Sequence, residues 1–235
     1  MMNYSVGVET REKIITECRK LFYEHGYEKT SFGMICDNIN INRGLITYHF
    51  KSKSKLAQII YNEVWNDIDR IIDQQFGSYS IIYKTFIENI LLFRCLNDNN
   101  NFLRFYVEVR SNTKLTDYTL ERQKIFIRKS LKIINGMLSD EELVTLSCMF
   151  LGVENGLVTN MYNKKITEQA DQISKKDLHF VLSMLGFPPD TIDQYYREVL
   201  KMLNDYRLCV KENFNIVLEK GRDLRCITIN CFLLI

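Results

Sequence analysis

Apolar residues recur at helical spacing along most of the chain. Between Arg11 and His25, Ile14, Cys18, Leu21 and Phe22 fall at i, i+4, i+7 and i+8 and share one helix face. Thr10 suits the N-cap of this helix, Gly26 supplies a left-handed stop, and Tyr27 is expected to pack back on the same core. Thr30 is placed to cap a second helix whose inward face is Met34, Ile35 and Ile39, with Phe32 nearby. This helix stops near Ile39, because Asn40 tolerates positive φ, Ile41 is an apolar plug and Asn42 is a good cap for the next helix. That third helix, Arg43 to Phe50, has Ile46 and Phe50 facing inward.

The rest of the chain reads as longer amphipathic helices. One runs from about Ser52, its cap, to Phe76, with Tyr61, Trp65 and Ile68 in register, and a second from Tyr79 to Leu96, with Ile82, Phe86, Ile90 and Phe93. After an Asn-rich loop, Asn101 to Ser111 and Thr116 to Leu138 read as two more. From Asp140 to Asn163, Leu143, Leu146, Phe150, Val153, Leu157 and Met161 form one seam, and Val144, Cys148, Leu151 and Val158 a second. A helix apolar on two sides needs two partners. The last long helix, about Asp190 to Leu218, carries Ile192, Tyr196, Val199, Leu203, Tyr206, Val210 and Val217 at heptad-like steps. The fold class is therefore all-α, in three parts: a helix-turn-helix domain over 1–52, a helical bundle over 53–222, and an apolar, β-prone tail over 223–235 with no functional reading. Only 2 Pro and 10 Gly support long helices.

Two short helices joined by about three residues, with an apolar residue pinning the turn, match the helix-turn-helix that reads DNA. Charge strengthens that reading. Residues 1–60 carry nine Lys or Arg against six acids, and 38–60 carry four basic residues and no acid, whereas the total of +2 says little. The outward set of the third helix, Arg43, Gly44, Leu45, Thr47, Tyr48 and His49, is a poor solvated surface and a good groove-reading one. Arg can take guanine bidentately, Thr and Leu can touch a thymine methyl, and Tyr or His can reach phosphate oxygens. A structural hydrogen bond is the alternative role for His49.

Other chemistries find little support. The seven cysteines are scattered, odd in number and without a CxxC pair, as expected of reduced core residues. His25, His49 and His179 show no HExxH spacing, and neither a phosphate loop nor a nucleophile motif appears, so no enzyme, metal or cofactor is expected. The first residues lack the apolar core of a signal peptide, and no apolar run approaches the ~20 residues of a spanning helix. A cytoplasmic protein without membrane attachment is expected.

These residues resemble the TetR family of bacterial regulators. The family signature runs LF-x-x-x-G-[FY], then T-[ST], an I-A-like pair, a short turn, and an aromatic-rich recognition helix ending F-K-x-K-x-x-L. The matching pieces are Leu21 to Tyr27, Thr30-Ser31, Ile35-Cys36, Ile41 to Gly44, Tyr48-His49-Phe50, and Lys51 through Leu56, about 50 residues in all. The chain departs from the pattern at Asn40 for Gly, Cys36 for Ala, Thr47 for an aromatic, and Ser54-Lys55 for acids. Thr47 lies on the reading face, which leaves the bases it reads open.

The resemblance implies a homodimeric transcriptional regulator, usually a repressor, that binds a palindromic double-stranded operator and is released by a small-molecule effector. Thr30, Tyr48 and Lys53 would then contact phosphates, with Ser31 and Asn42 beside them, and Arg43, Gly44, Leu45, Thr47 and His49 would lie along the major groove. The helices over 140–163 and 190–218 would form a four-helix dimer interface, the alternative being an intramolecular core. The implied ligand cavity would be lined by Tyr61, Trp65, Phe86, Phe105, Tyr106 and Glu154, unless these rings are core and Glu154 faces solvent or pairs with a nearby Lys or Arg. A regulator controlled by a protein partner on the helical domain is the competing function. A cavity of about 300 Å³ or more favours sensing, and a filled core favours a partner.

Overall fold

The computed structural model describes residues 2–132 and 136–221. A head of three helices, α1 (Met2–His25), α2 (Phe32–Ile39) and α3 (Arg43–Phe50), is followed by α4 (Lys53–Phe76), α5 (Ile81–Asp98), α6 (Asn100–Arg110), α7 (Thr116–Leu131), α8 (Asp140–Tyr162), α9 (Ala170–Met184) and α10 (Pro189–Met202). Two antiparallel strands, β1 (Tyr206–Lys211) and β2 (Asn215–Lys220), complete the described chain. The helical architecture expected from periodicity is present. The apolar tail expected over 223–235 lies outside the described residues.

The head closes as its sequence requires. Ile14, Cys18, Leu21, Phe22, Ile35, Ile46 and Phe50 are buried together. Gly26 stops α1 at φ +88, and Tyr27 is buried edge-on to Phe22 at 5.5 Å. Helix α1 starts well before Arg11, which puts Thr10 inside the helix and not at its cap. Ser31, not Thr30, caps α2, accepting from the Met34 N–H at 3.2 Å. Ser52 caps α4 as expected, and Ser139 with Glu142 forms a reciprocal capping box on α8.

Beyond α8 the expectations need correction. Helix α9 was not part of the periodicity reading. The helix expected over 190–218 is two things: α10 ends at Met202, and a β-hairpin follows. Asn213 at φ 56 turns the chain, and Leu208 faces Leu218 across the ladder while Val210 faces Ile216. Leu208, Val210, Phe214 and Ile216 are buried, whereas the supposed seam member Val217 is not fully so. In α10, Ile192, Tyr196 and Val199 are buried within the one subunit, so that seam belongs to the intramolecular core. Helix α7 ends at Leu131, short of Leu138.

The hairpin joins the head to the bundle. Phe214 lies 4.6 Å from Phe105 of α6 and 5.2 Å from Tyr23 of α1, ring centre to ring centre. Arg19 of α1 donates to the carbonyls of Asn213 (2.6 Å) and Phe214 (2.8 Å) and pairs with Glu63 of α4 at 2.8 Å. Asn99, which caps α6, donates to the Val210 carbonyl at 2.7 Å and to the Tyr23 hydroxyl at 3.2 Å.

Candidate functional site: a helix-turn-helix face and a polar cavity

The turn between α2 and α3 is built by two asparagines. Asn40 adopts the left-handed conformation at φ 52, and the Ile41 N–H closes the turn onto the Cys36 carbonyl at 3.1 Å. Asn42 accepts the Leu45 N–H at 3.0 Å and starts α3. With Ile46 and Phe50 seated in the core, Arg43, Gly44 and Thr47 are exposed, Leu45 and His49 are half-buried, and Tyr48 stands 80% exposed. Arg43 rests 5.9 Å from the centre of the Phe32 ring, and the Thr47 hydroxyl donates to the Arg43 carbonyl at 3.1 Å. Thr47 therefore presents a methyl and an acceptor.

Two of the expected phosphate contacts are placed elsewhere. Thr30 is only 1% exposed, and its hydroxyl donates to the carbonyls of Gly26 (2.7 Å) and Leu21 (3.2 Å), sealing the end of α1. Lys53 turns its ammonium inward, to the carbonyls of Tyr27 (2.7 Å), Thr30 (2.9 Å) and Glu28 (3.2 Å), over the Tyr27 ring. Burial lowers its pKa, partly opposed by nearby acids. The lysines left exposed beside α3 are Lys51 and Lys55, and Lys51 holds a positive φ of 59 at the α3–α4 junction.

The head is also clamped from α6. Glu108 accepts the backbone N–H groups of Tyr27 (2.5 Å) and Glu28 (3.2 Å), while Arg104 donates to the carbonyls of Tyr23 and Glu24, each at 2.9 Å. Burial raises the Glu108 pKa, and the two accepted N–H bonds pull it back. A Cβ on Gly26 would meet Glu108 Oε2 at 2.7 Å, so the clamp fits a glycine only.

Inside the bundle lies a cavity of about 80 Å³ with polar walls. Tyr61, Trp65, Tyr106 and Glu154 line it as expected. Phe86 and Phe105 do not: Phe86 packs beside Tyr195, and Phe105 between Phe22 and Phe214. Glu154 is held internally. It accepts from Arg110 at 2.9 Å and from the Tyr106 hydroxyl, while Arg110 also donates to Asn155 at 2.6 Å. Burial works against the Arg110 charge, but Glu154 and the neighbouring tyrosines raise its pKa overall. The Tyr106 hydroxyl is pushed up by burial.

Sequence reasoning missed the other polar lining residues, Thr85, Glu88, Asn89, Arg110, Arg122, Gln123 and Asp177. A signal existed for two of them. Asp177 falls at i+4 from Ile173 and i−4 from Val181 on the buried stripe of α9, and Arg110 at i+4 from Tyr106 on that of α6. Among the described residues, no group of three or more His, Cys, Asp or Glu is arranged to hold a metal.

The described residues thus place a helix-turn-helix head, with α3 exposed, on a helical bundle with an internal polar cavity. Residues 14–59 match the model of the bacterial regulatory proteins of the tetR family. Over 112 residues the chain is 31% identical to an HTH-type transcriptional regulator of Staphylococcus aureus (strain USA300), a match covering 42% of this chain and 59% of that protein. A counterpart in the bovine strain RF122 / ET3-1 is 30% identical over 111 residues, 43% of this chain and 60% of its own. The match thus spans about three-fifths of these relatives' length.

Among solved structures, RolR in complex with resorcinol superposes at a TM-score of 0.56 with 15% identity, over 82% of this chain and 95% of that one. SmeT, the repressor of a multidrug efflux pump of Stenotrophomonas maltophilia, superposes at 0.51 with 16% identity, over 74% and 89%. These last likenesses concern the fold. The likeness to the tetR family of bacterial regulatory proteins lies in residues 14–59, the helix-turn-helix head.

Proposed function

We propose that the chain is a homodimeric DNA-binding transcriptional regulator, a repressor of its operator, whose grip on DNA is changed by a small molecule in the bundle cavity. Helix α6 carries this reading. Arg104 and Glu108, one turn apart, hold the end of α1 and the loop before α2, while Tyr106 and Arg110, on the opposite side of the same helix, line the cavity. A ligand that moves α6 moves the head, and two heads must sit about 34–36 Å apart to enter successive major grooves.

In the complex, Arg43, Gly44, Leu45, Thr47 and His49 read bases, and Ser31, Asn42, Tyr48 and Lys51 meet phosphates. Thr30 and Lys53 hold the loop beneath them. The dimer is supported by α8, which leaves Val144, Cys148 and Met149 exposed, with Met184 of α9 exposed as well. Among the described residues no helix is long and apolar enough to cross a membrane, which fits work on DNA in the cytoplasm.

The size of the cavity favours a second reading, control by a protein partner on the bundle. At about 80 Å³ it falls below the ~300 Å³ floor of drug-sized pockets, so only a small ligand fits without rearrangement. Fluorescence anisotropy with DNA from upstream of the gene separates the readings. Salt-dependent, sequence-selective binding that a small molecule relieves supports sensing. Selective binding relieved only by a protein supports the second reading, and no selective binding sinks both.

A further inference from the structure

The cavity has more negative than positive groups, and its positive groups are committed. Arg110 is bonded to Glu154 and Asn155. Arg122 lies over the Trp65 ring at 4.3 Å and reaches Asp69 at 3.7 Å. Of the three carboxylates lining the space, Glu154 is saturated by Arg110 and Tyr106. Among the described residues, neither of the other two forms an ion pair. Asp177, 5% exposed, accepts from Asn89 at 2.7 Å through Oδ2, but its Oδ1 is closed off from water with no donor. Glu88 has no hydrogen bond or ion pair among the described residues. Asn89 is itself fixed, since its Oδ1 accepts from the Ser174 hydroxyl at 2.7 Å.

An unpaired carboxylate oxygen in such a place costs on the order of 1–3 kcal/mol or more, which is recovered when a donor arrives. A charged donor recovers more than a neutral one, because two carboxylates face the same small volume. The remaining walls include Trp65, Leu92 and Phe126, which suit a short hydrocarbon portion.

We propose that the cavity takes a small organic cation, of the alkylammonium or amidinium class, with its charged end between Glu88 and Asp177 and its carbon portion against Trp65 and Phe126. This rests on the sensing reading above and names the ligand chemistry. The volume, about half the 150 Å³ or so of a cavity that holds benzene, limits an unrearranged occupant to a few heavy atoms. Protons compete for the same oxygens. Burial lifts both carboxyl groups to about 7, Glu88 further raised by Asp69 and Glu154 and lowered by Arg122 and Lys129, and Asp177 raised by Glu154 and lowered by Asn89 and Arg110. Cation binding therefore strengthens from pH 6 to pH 8.

The test is thermal-shift and calorimetric titration of the full chain with acetamidinium chloride and n-propylammonium chloride, against acetamide and n-propanol of nearly the same shape, at matched ionic strength. The cations are expected to bind at least tenfold more tightly than the neutral isosteres, and more tightly at pH 8 than at pH 6. Glu88→Gln and Asp177→Asn should each remove most of that preference, and the pair covers the case in which one variant folds poorly. Equal binding of cation and isostere, no binding of either, or cation binding that both variants retain overturns the inference. Operator release by a neutral molecule, measured separately, would leave the sensing reading standing while this one fell.

Discussion

Glu108 Oε2 accepts the Tyr27 N–H at 2.5 Å, tying the last turn of α6 to the first residue after the glycine that ends α1. The bond makes the position of the head depend on α6. Glu108→Ala should destabilise the protein by about 1–3 kcal/mol, since two N–H groups lose their acceptor. It should reduce the effector's influence on DNA affinity more than DNA affinity itself. Urea unfolding combined with anisotropy, with and without effector, checks both. Gly26→Ala should behave alike, its Cβ meeting the same carboxylate at a φ that disfavours a side chain.

The exposed lysine and the buried one should part company. Arg43→Ala is expected to relax base preference at one operator position by about 1–3 kcal/mol, and Lys51→Ala to weaken all sequences alike and reduce the salt slope by about 1. Lys53→Met should leave the slope unchanged and lower stability instead, because its ammonium holds three loop carbonyls. Salt titrations of binding beside thermal melts distinguish them.

Phe214 is fully buried between head and bundle, so Phe214→Ala should cost about 3–5 kcal/mol in chemical denaturation. Phe214→Leu should cost less than about 1.5 kcal/mol, as a swap of closer volume. Loss confined to the hairpin, with the head still melting at its original midpoint, would contradict its bridging role.

The acid-base behaviour has two opposite windows. Glu88 and Asp177 have folded-state pKa values raised to about 7, so the stability they allow is full below their ordinary range near 4 and is lost as pH rises through 7. Without ligand, melting temperature should fall from pH 5 to pH 8, and the Glu88→Gln, Asp177→Asn double variant should flatten that slope. Asp193 is the reverse. Hydrogen bonds from Lys175 and His179 hold it at about 2, so its contribution is present above its ordinary value near 4 and disappears only as pH falls toward 2.

The head was legible because its signals are local. Asn40 and Asn42 act within a few residues of themselves, and the i, i+4 spacing of Ile46 and Phe50 marks the buried face of α3. Thr30 and Lys53 could not be placed that way, since carbonyls as far off as Leu21 and Tyr27 decide their direction. The hairpin was misread for a related reason. Tyr206 and Val210 continue the heptad steps of α10 by coincidence, and strand alternation over six residues is too short to outweigh that pattern. In the cavity, Tyr61, Trp65, Tyr106 and Glu154 were found, but which carboxylate is left unpaired depends on where Arg110 points. No spacing along the chain records that.

The bonds from Arg19 to Asn213 and Phe214 span 194 and 195 residues. At about 5–20 residues per second, α1 leaves the ribosome some 10–40 s before its last partners are made. Through that interval Tyr23 lacks the Phe214 ring that packs edge-on against it, and the nascent chain presents it to whatever chaperone is near. The order of synthesis thus withholds a finished head until nearly all of the described chain exists.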